Sequence, residues 1–301
     1  MSRVQANFLL TVIALIWGSA FVAQSWGMSH LGPMTFTGVR FLIGAGVVLP
    51  LVLIEWRRRH GSVTLLRITD FGKVVGLGIL LLAGAAMQQI GIVTTSITNA
   101  GFLTALYVPL VPLLGWLLWR HWPHPAVWPS ALACLAGAYL LSGAQGLSIG
   151  RGDLWVIGSS LPWALHVLLV GRIADQLNAP FLVAGGQFLV CGALALLYGW
   201  VAEPVSLTAL QAASGALLYT GVLSVGVAFT AQVVAQRYAQ AADAAIVLSS
   251  ETLFAAMFGF LLLNERLTWA GMVGCLLIFV SMLAVQLLPL ITNVPEKSPS
   301  T

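Results

Sequence analysis

The sequence predicts an all-α polytopic membrane protein, with ten transmembrane helices arranged as two inverted five-helix repeats. Three observations predict it. First, the hydrophobic fraction is 59% and the charged fraction 7%, whereas an ordinary soluble domain is about a quarter charged. So few charges cannot cover a water-facing surface, so lipid must be the main solvent. Second, the apolar residues fall into ten long continuous runs. A membrane helix needs about 20 residues, so ten of them leave room for short connections and tails but no soluble domain. Third, the later five runs repeat the pattern of the earlier five. Trp17 has a counterpart in Trp163. Asn99 through Leu106 aligns with Ala244 through Glu251, and Trp128 and Cys134 align with Trp269 and Cys275. Five is odd, so a duplicated unit re-enters the membrane upside down. Inverted repeats of this kind place a small-molecule site near the midplane between halves, as secondary transporters do.

In chain order the spans are 6–26, 35–55, 71–91, 95–119, 126–143, 153–173, 180–201, 211–231, 243–263 and 269–288. Helices are required because lipid offers no partner to backbone N–H and C=O groups. The runs are too long and continuous for the alternating strands of a barrel. The first span has no convincing cleavage site after it, and its repeat partner is internal, so it is expected to stay. The halves divide at 1–146 and 147–290. A polar tail, 291–301, is expected to be disordered and cytoplasmic.

Orientation is read from Lys and Arg. With the N-terminus inside, the inner connections are assigned Arg3, Arg57, Arg58, Arg59, Arg67, Lys73, Arg120, Arg172, Arg266 and Lys297. The outer ones are assigned only Arg151 and Arg237. This bias puts both termini in the cytoplasm, in an inner (plasma) membrane. The pI near 9.3 thus reflects topology. Trp56 to His60 is one juxtamembrane basic cluster with no soluble domain, which suits anionic lipid and not nucleic acid.

Phosphate-binding, metalloprotease and nucleophile-elbow motifs are absent. Cys134, Cys191 and Cys275 all fall inside spans, at spacings that suit neither zinc nor disulfides. No enzyme, metal or cofactor is therefore expected.

The information lies in polar residues at membrane depth. Trp17 and Trp163 sit mid-span at matched positions. They either wall a shared cavity or pack between helices with each N–H on a carbonyl. Arg40, about five residues into the second span, and Glu251, about eight into the ninth, are placed within roughly two turns of each other in depth. That placement takes both spans to run outside to inside. Either the two form a fixed buried pair or Arg40 snorkels outward, both structural roles, or Glu251 is a proton or ammonium site. His166, one turn from Trp163, either binds cargo or carries a proton, or is a packing residue. Gln88, Gln89, Asn99, Thr104 and Tyr107 could line a vestibule of neutral hydrogen-bonding groups, with helix capping the alternative for Asn99. Pro109 and Pro112 interrupt the fourth span's backbone bonding, and Pro162 the sixth's. Gly72 with Gly76, and Gly44 with Gly46, suit close helix contact.

Several of these segments resemble one family. They are Trp17-Gly18-Ser19-Ala20-Phe21, the run from Arg40 to Ala45, the run from Ala100 to Pro112, and Ser250-Glu251 through Thr268. Together they resemble the drug/metabolite transporter superfamily, in particular its EamA-type ten-helix members. That family often has proline after the ninth-span glutamate, where Thr252 stands here. Its usual Gly-Glu-Arg-like inner turn is replaced by Trp119 through His124. The resemblance implies two five-helix bundles around a central cavity. It also implies export or exchange of amino acids, other small metabolites or toxic compounds.

The resulting expectation is a secondary-active or facilitative transporter of amino acids or similar small metabolites, working by alternating access. Its partners are that cargo and the lipid bilayer, and a homodimer is compatible with it. Export of lipophilic or cationic drugs is the nearest alternative. A membrane-embedded enzyme or lipid-handling protein is the alternative of another class.

Overall fold

The computed structural model describes residues 1–60, 67–95, 97–120, 122–141, 150–263 and 268–291. The loop holding Glu265 and Arg266, and the expected tail from 292 with Lys297, lie outside the described residues. So does the side chain of Arg59.

The first half contains α1 (Arg3–Met28), α2 (Pro33–His60), α3 (Ile68–Ile92), α4 (Ile97–Thr104), α5 (Tyr107–Trp119) and α6 (Val127–Leu141). The second contains α7 (Arg151–Leu177), α8 (Pro180–Ala202), α9 (Leu207–Ala212), α10 (Ser214–Leu218), a π-helical segment (Tyr219–Phe229), α11 (Thr230–Ala235), α12 (Ala241–Leu248), α13 (Glu251–Leu263) and α14 (Trp269–Ile291). Among the described residues, 9 helical runs are long and apolar enough to cross a membrane, and Val127–Leu140 is a shorter apolar helix. This is an all-α polytopic membrane protein. α2 and α7 continue through Pro50 and Pro162.

Carboxylates and hydroxyls cap the helix starts, where backbone N–H groups lack intrahelical acceptors. Ser2 and Gln5 form a reciprocal capping box on α1. Asp70 accepts from the Arg67 N–H ahead of α3, and Asp153 from the Gly150 N–H ahead of α7.

The heaviest packing joins α2 to α8, α3 to α7, and α6 to α14. α2 and α8 also cap each other. Glu203, just past α8, accepts from the Met34 and Thr35 N–H groups that open α2, at 2.9 and 2.8 Å. Glu55, near the end of α2, accepts from the Leu182 N–H that opens α8, at 2.7 Å. The two helices are therefore antiparallel and tied at both ends. Replacing Glu203 with Ala is expected to destabilise the detergent-solubilised protein by about 1 kcal/mol, the worth of a helix cap. Glu203→Gln should recover part of it, and a thermal melt of the three proteins checks this.

The close approaches fall at other glycines than most of those expected. A Cβ at Gly46, Gly72 or Gly76 would meet nothing within 4 Å. Gly44 and Gly221 instead sit where α2 crosses the π-helical segment. A Cβ on Gly44 would strike Val225, and one on Gly221 would strike Ile43.

Two expectations on direction are corrected. Arg237 lies 3.5 Å from Asp175 and donates to Asn178 Oδ1 at 2.8 Å, at the carboxyl end of α7. It therefore shares the end of the bundle with Arg172, not with Arg151. After eight crossings the chain is back on its starting side. Arg3 pairs with Asp243, which ties the start of α1 to the start of α12. The ninth span thus leaves from the amino-terminal end, and α13 runs opposite to α2.

Candidate functional site

Both interrupted spans owe their breaks to local chemistry. Pro109 has no N–H for the Ala105 carbonyl, so Val108 donates there instead, at 3.0 Å. The helix stops at Thr104 and restarts at Tyr107. In the ninth span no proline is present. Ser249, Ser250 and Thr252 turn their hydroxyls onto the carbonyls of Ile246, Val247 and Ser249, at 2.7, 2.6 and 2.8 Å. Such bonds compete with the backbone ladder, and α12 gives way to α13 between Ser249 and Ser250. In the repeat alignment Thr104-Ala105 falls opposite Ser249-Ser250, so the breaks occupy matched positions.

Tyr107 and Glu251 follow these breaks and face one cavity. Aromatic rings form much of its wall: Trp17, Phe21, Tyr107, Trp163 and Phe229. Phe229 sits between the two indoles. Its ring centroid is 4.4 Å from that of Trp17 and 6.0 Å from that of Trp163, the second nearly parallel at 18°. Gln24, Gln88, Thr104, Ser224 and Gln232 add neutral polar groups. Arg40 and Glu251 add opposite charges.

The two repeat-related indoles are not equivalent. Trp17 donates its Nε1–H to the Ser224 carbonyl of the π-helical segment at 3.2 Å. The Trp163 Nε1–H is buried with no acceptor. Tyr107 donates to the Ala245 carbonyl at 3.2 Å, and Gln88 to the Thr104 hydroxyl at 2.9 Å.

Arg40 and Glu251 share the cavity, yet Arg40 is held by other groups. Arg40 Nη1 donates to Gln24 Oε1, and its guanidinium lies 5.7 and 5.2 Å from the ring centroids of Phe36 and Phe41. No ion pair joins it to Glu251, and the Glu251 carboxylate accepts no hydrogen bond among the described residues. The expected pair is replaced by an amide and two ring faces.

Three expected site residues lie outside the cavity lining. His166 is fully buried, with Nε2 2.8 Å from Gln187 Oε1 and Nδ1 unpartnered. Gln89 is fully buried with neither amide atom partnered. Asn99 donates to Asp153 at 2.6 Å, beside the Thr95 hydroxyl at 3.0 Å, and so ties the start of α4 to the start of α7. Among the described residues no cluster of His, Cys, Asp and Glu could hold a metal. The three cysteines are free.

A polytopic helical bundle with a buried aromatic and charged cavity is the build of a membrane transporter. The chain belongs to the EamA-like transporter family, whose sequence profile matches residues 5–143 and again 150–287. An uncharacterized transporter of Archaeoglobus fulgidus is 28% identical over 289 residues, covering 95% of this chain and 87% of its own. The uncharacterized transporter YoaV of Bacillus subtilis is 26% identical over 286 residues, covering 88% of this chain and 91% of its own. A solved crystal structure at 20% identity superposes with a TM-score of 0.78 over 95% of this chain and 99% of that one, a likeness of fold. The protein is a transporter of this superfamily and not an enzyme.

Proposed function

We propose that this protein exports or exchanges amino acids or similar small metabolites across the inner membrane by alternating access. Two five-helix halves, 1–146 and 147–290, rock about the cavity as inverted repeats. Several observations support the repeat. The family profile matches twice. The span breaks occur at matched positions. Packing of α1 on the π-helical segment has its mate in α7 on α3, and α2 on that segment in α8 on α3. Glu55 and Glu203 cap reciprocally.

The carrying observation is the cavity itself, which offers rings to an apolar side chain and polar and charged groups to its other end. Trp17, Gln88, Tyr107 and Trp163 are the cargo contacts; His166 backs the rings of Trp163 and Phe229, Gln89 is buried beside Gln88, and Asn99 fixes the start of α4 on α7. The test is purified protein in liposomes, challenged under a set pH gradient with labelled glycine, leucine and phenylalanine and with tetraphenylphosphonium. Movement of at least one amino acid is the expected result; failure of all four removes the reading. A second reading, export of lipophilic cations, is favoured by Glu251 beside aromatic faces. It gives Arg40 no role and requires tetraphenylphosphonium alone to move.

The amino-terminal end of the bundle faces the cytoplasm. Arg3, Arg57, Arg58, Arg67, Lys73, Arg120, Arg172 and Arg237 gather there, against Arg151 at the other end. Reporter fusions at Arg57–Arg59 and at the C-terminus should both report cytoplasm, and a periplasmic signal from either would refute the orientation.

A further inference from the structure

We propose that Arg40 and Glu251 are the two separate poles of cargo recognition. Arg40 takes a carboxylate, Glu251 takes an ammonium, and Gln24 is the positioning residue for Arg40. The inference rests on the transport reading above and narrows its cargo to small zwitterions carrying a free carboxylate and a free amine.

Two charges buried in one cavity ordinarily neutralise each other. Here they do not meet. Arg40 spends one nitrogen on a neutral amide and its guanidinium lies over the rings of Phe36 and Phe41. Its Nε remains unpartnered. The guanidinium fork is thus oriented by groups that leave its charge uncompensated, and a carboxylate is its matching ligand. Gln24 is itself fixed, because its Nε2 donates to the Ala20 carbonyl at 3.2 Å. That bond turns the amide oxygen towards Arg40.

Glu251 opens α13 just past the break, with no hydrogen bond or ion pair among the described residues. It lines the cavity beside the π faces of the wall. A primary ammonium satisfies both the carboxylate and the rings. Trp163 and Gln232 also line the cavity, and the Trp163 Nε1–H and Gln232 Oε1 are buried without partners. A zwitterion answers both charged poles; an organic cation or a simple carboxylic acid answers one of them. A site built around such groups rejects an analogue lacking one of them, because the buried group is then left unpaired.

The experiment crosses ligands with variants in liposomes, read as exchange with no pH gradient. The labelled probes are phenylalanine, its methyl ester and N-acetylphenylalanine, with tetraphenylphosphonium as control. Wild type should move phenylalanine at least ~10-fold faster than either derivative. In Arg40→Gln the preference over the methyl ester should collapse towards unity while the preference over N-acetylphenylalanine persists. In Glu251→Gln the pattern should reverse. Gln24→Leu should weaken discrimination against the ester alone, which also covers the case in which Arg40→Gln does not fold.

A residue with a merely structural role would slow every probe in the same ratio, and that result overturns the inference. Equal rates for phenylalanine and both derivatives in wild type also overturn it while leaving the transport reading intact. Movement of tetraphenylphosphonium with none of the phenylalanine compounds likewise sinks the zwitterion and leaves a transporter. Immobility of all four probes overturns the inference, and the transport reading falls with it when glycine and leucine are immobile as well.

Discussion

Glu251→Gln is expected to abolish movement of cargo driven by a pH gradient while giving wild-type protein yield. The groups on the cavity that carry charge or a titratable proton are Arg40, Tyr107 and Glu251. Arg40 stays charged throughout the useful pH range, and the Tyr107 hydroxyl is already committed to the Ala245 carbonyl. Glu251 is left as the group that can exchange a proton with the cavity. Glutamine keeps its size and a hydrogen-bonding head but carries neither charge nor exchangeable acid proton. Were Glu251 the counter-ion of Arg40, the variant would strand a buried guanidinium and lose folded protein. The contact of Arg40 with Gln24, Phe36 and Phe41 removes that outcome. Gradient-driven flux and yield measured side by side separate the two cases. Full gradient-driven flux in both Glu251→Gln and His166→Gln would exclude both residues from coupling and leave a facilitator or another ion.

Trp163→Ala is expected to cut transport about 10-fold or more, because it removes a large rigid wall of the cavity at once. Membrane insertion should be unchanged. The informative comparison is with phenylalanine replacements, which keep a ring and delete the N–H. Trp163→Phe should slow transport without lowering thermal stability, since that N–H has no acceptor in the protein. Trp17→Phe should do the reverse. It loses a hydrogen bond to the Ser224 carbonyl, a net loss of about 1 kcal/mol, and should retain more of its transport. Equal behaviour of the two phenylalanine variants in both assays would refute the division of labour between the indoles.

Much of this site is written plainly in the chain. Indoles at matched mid-span positions, and a carboxylate and a guanidinium inside apolar runs, stand out because membrane depth penalises them. Trp17, Trp163, Arg40, Glu251, Gln88 and Tyr107 were therefore visible as candidates, and all line the cavity. Phe229 was not. It is one of 13 phenylalanines in a membrane protein, and only its place between two indoles distinguishes it. Gln24 and Gln232 are uncharged and near span ends, where amides are unremarkable. Composition and spacing name no partner for any of them, and a buried guanidinium points first to the opposite charge, not to Gln24. The pairing also requires spans 2 and 9 to run the same way, which the odd number of spans between their starts forbids; the same parity places Arg237 at the inner end. The break in the fourth span could be read from Pro109. Its mate in the ninth depends on three hydroxyls whose rotamers no periodicity reveals.

The π-helical segment bears on how this chain can vary. Loops tolerate gained or lost residues because nothing downstream depends on their register. Tyr219–Phe229 is different: Ser224 within it receives Trp17, Phe229 closes it between the indoles, and Gln232 follows within one turn. Removing a single residue here would swing the following side chains by about 100° around the helix axis. Phe229 and Gln232 would leave the cavity, and the crossing of Gly44 with Gly221 would lose its register. Length changes should therefore be tolerated between Glu203 and Ser206 and refused between Tyr219 and Phe229, although both stretches lie in the same connection from α8 to α11.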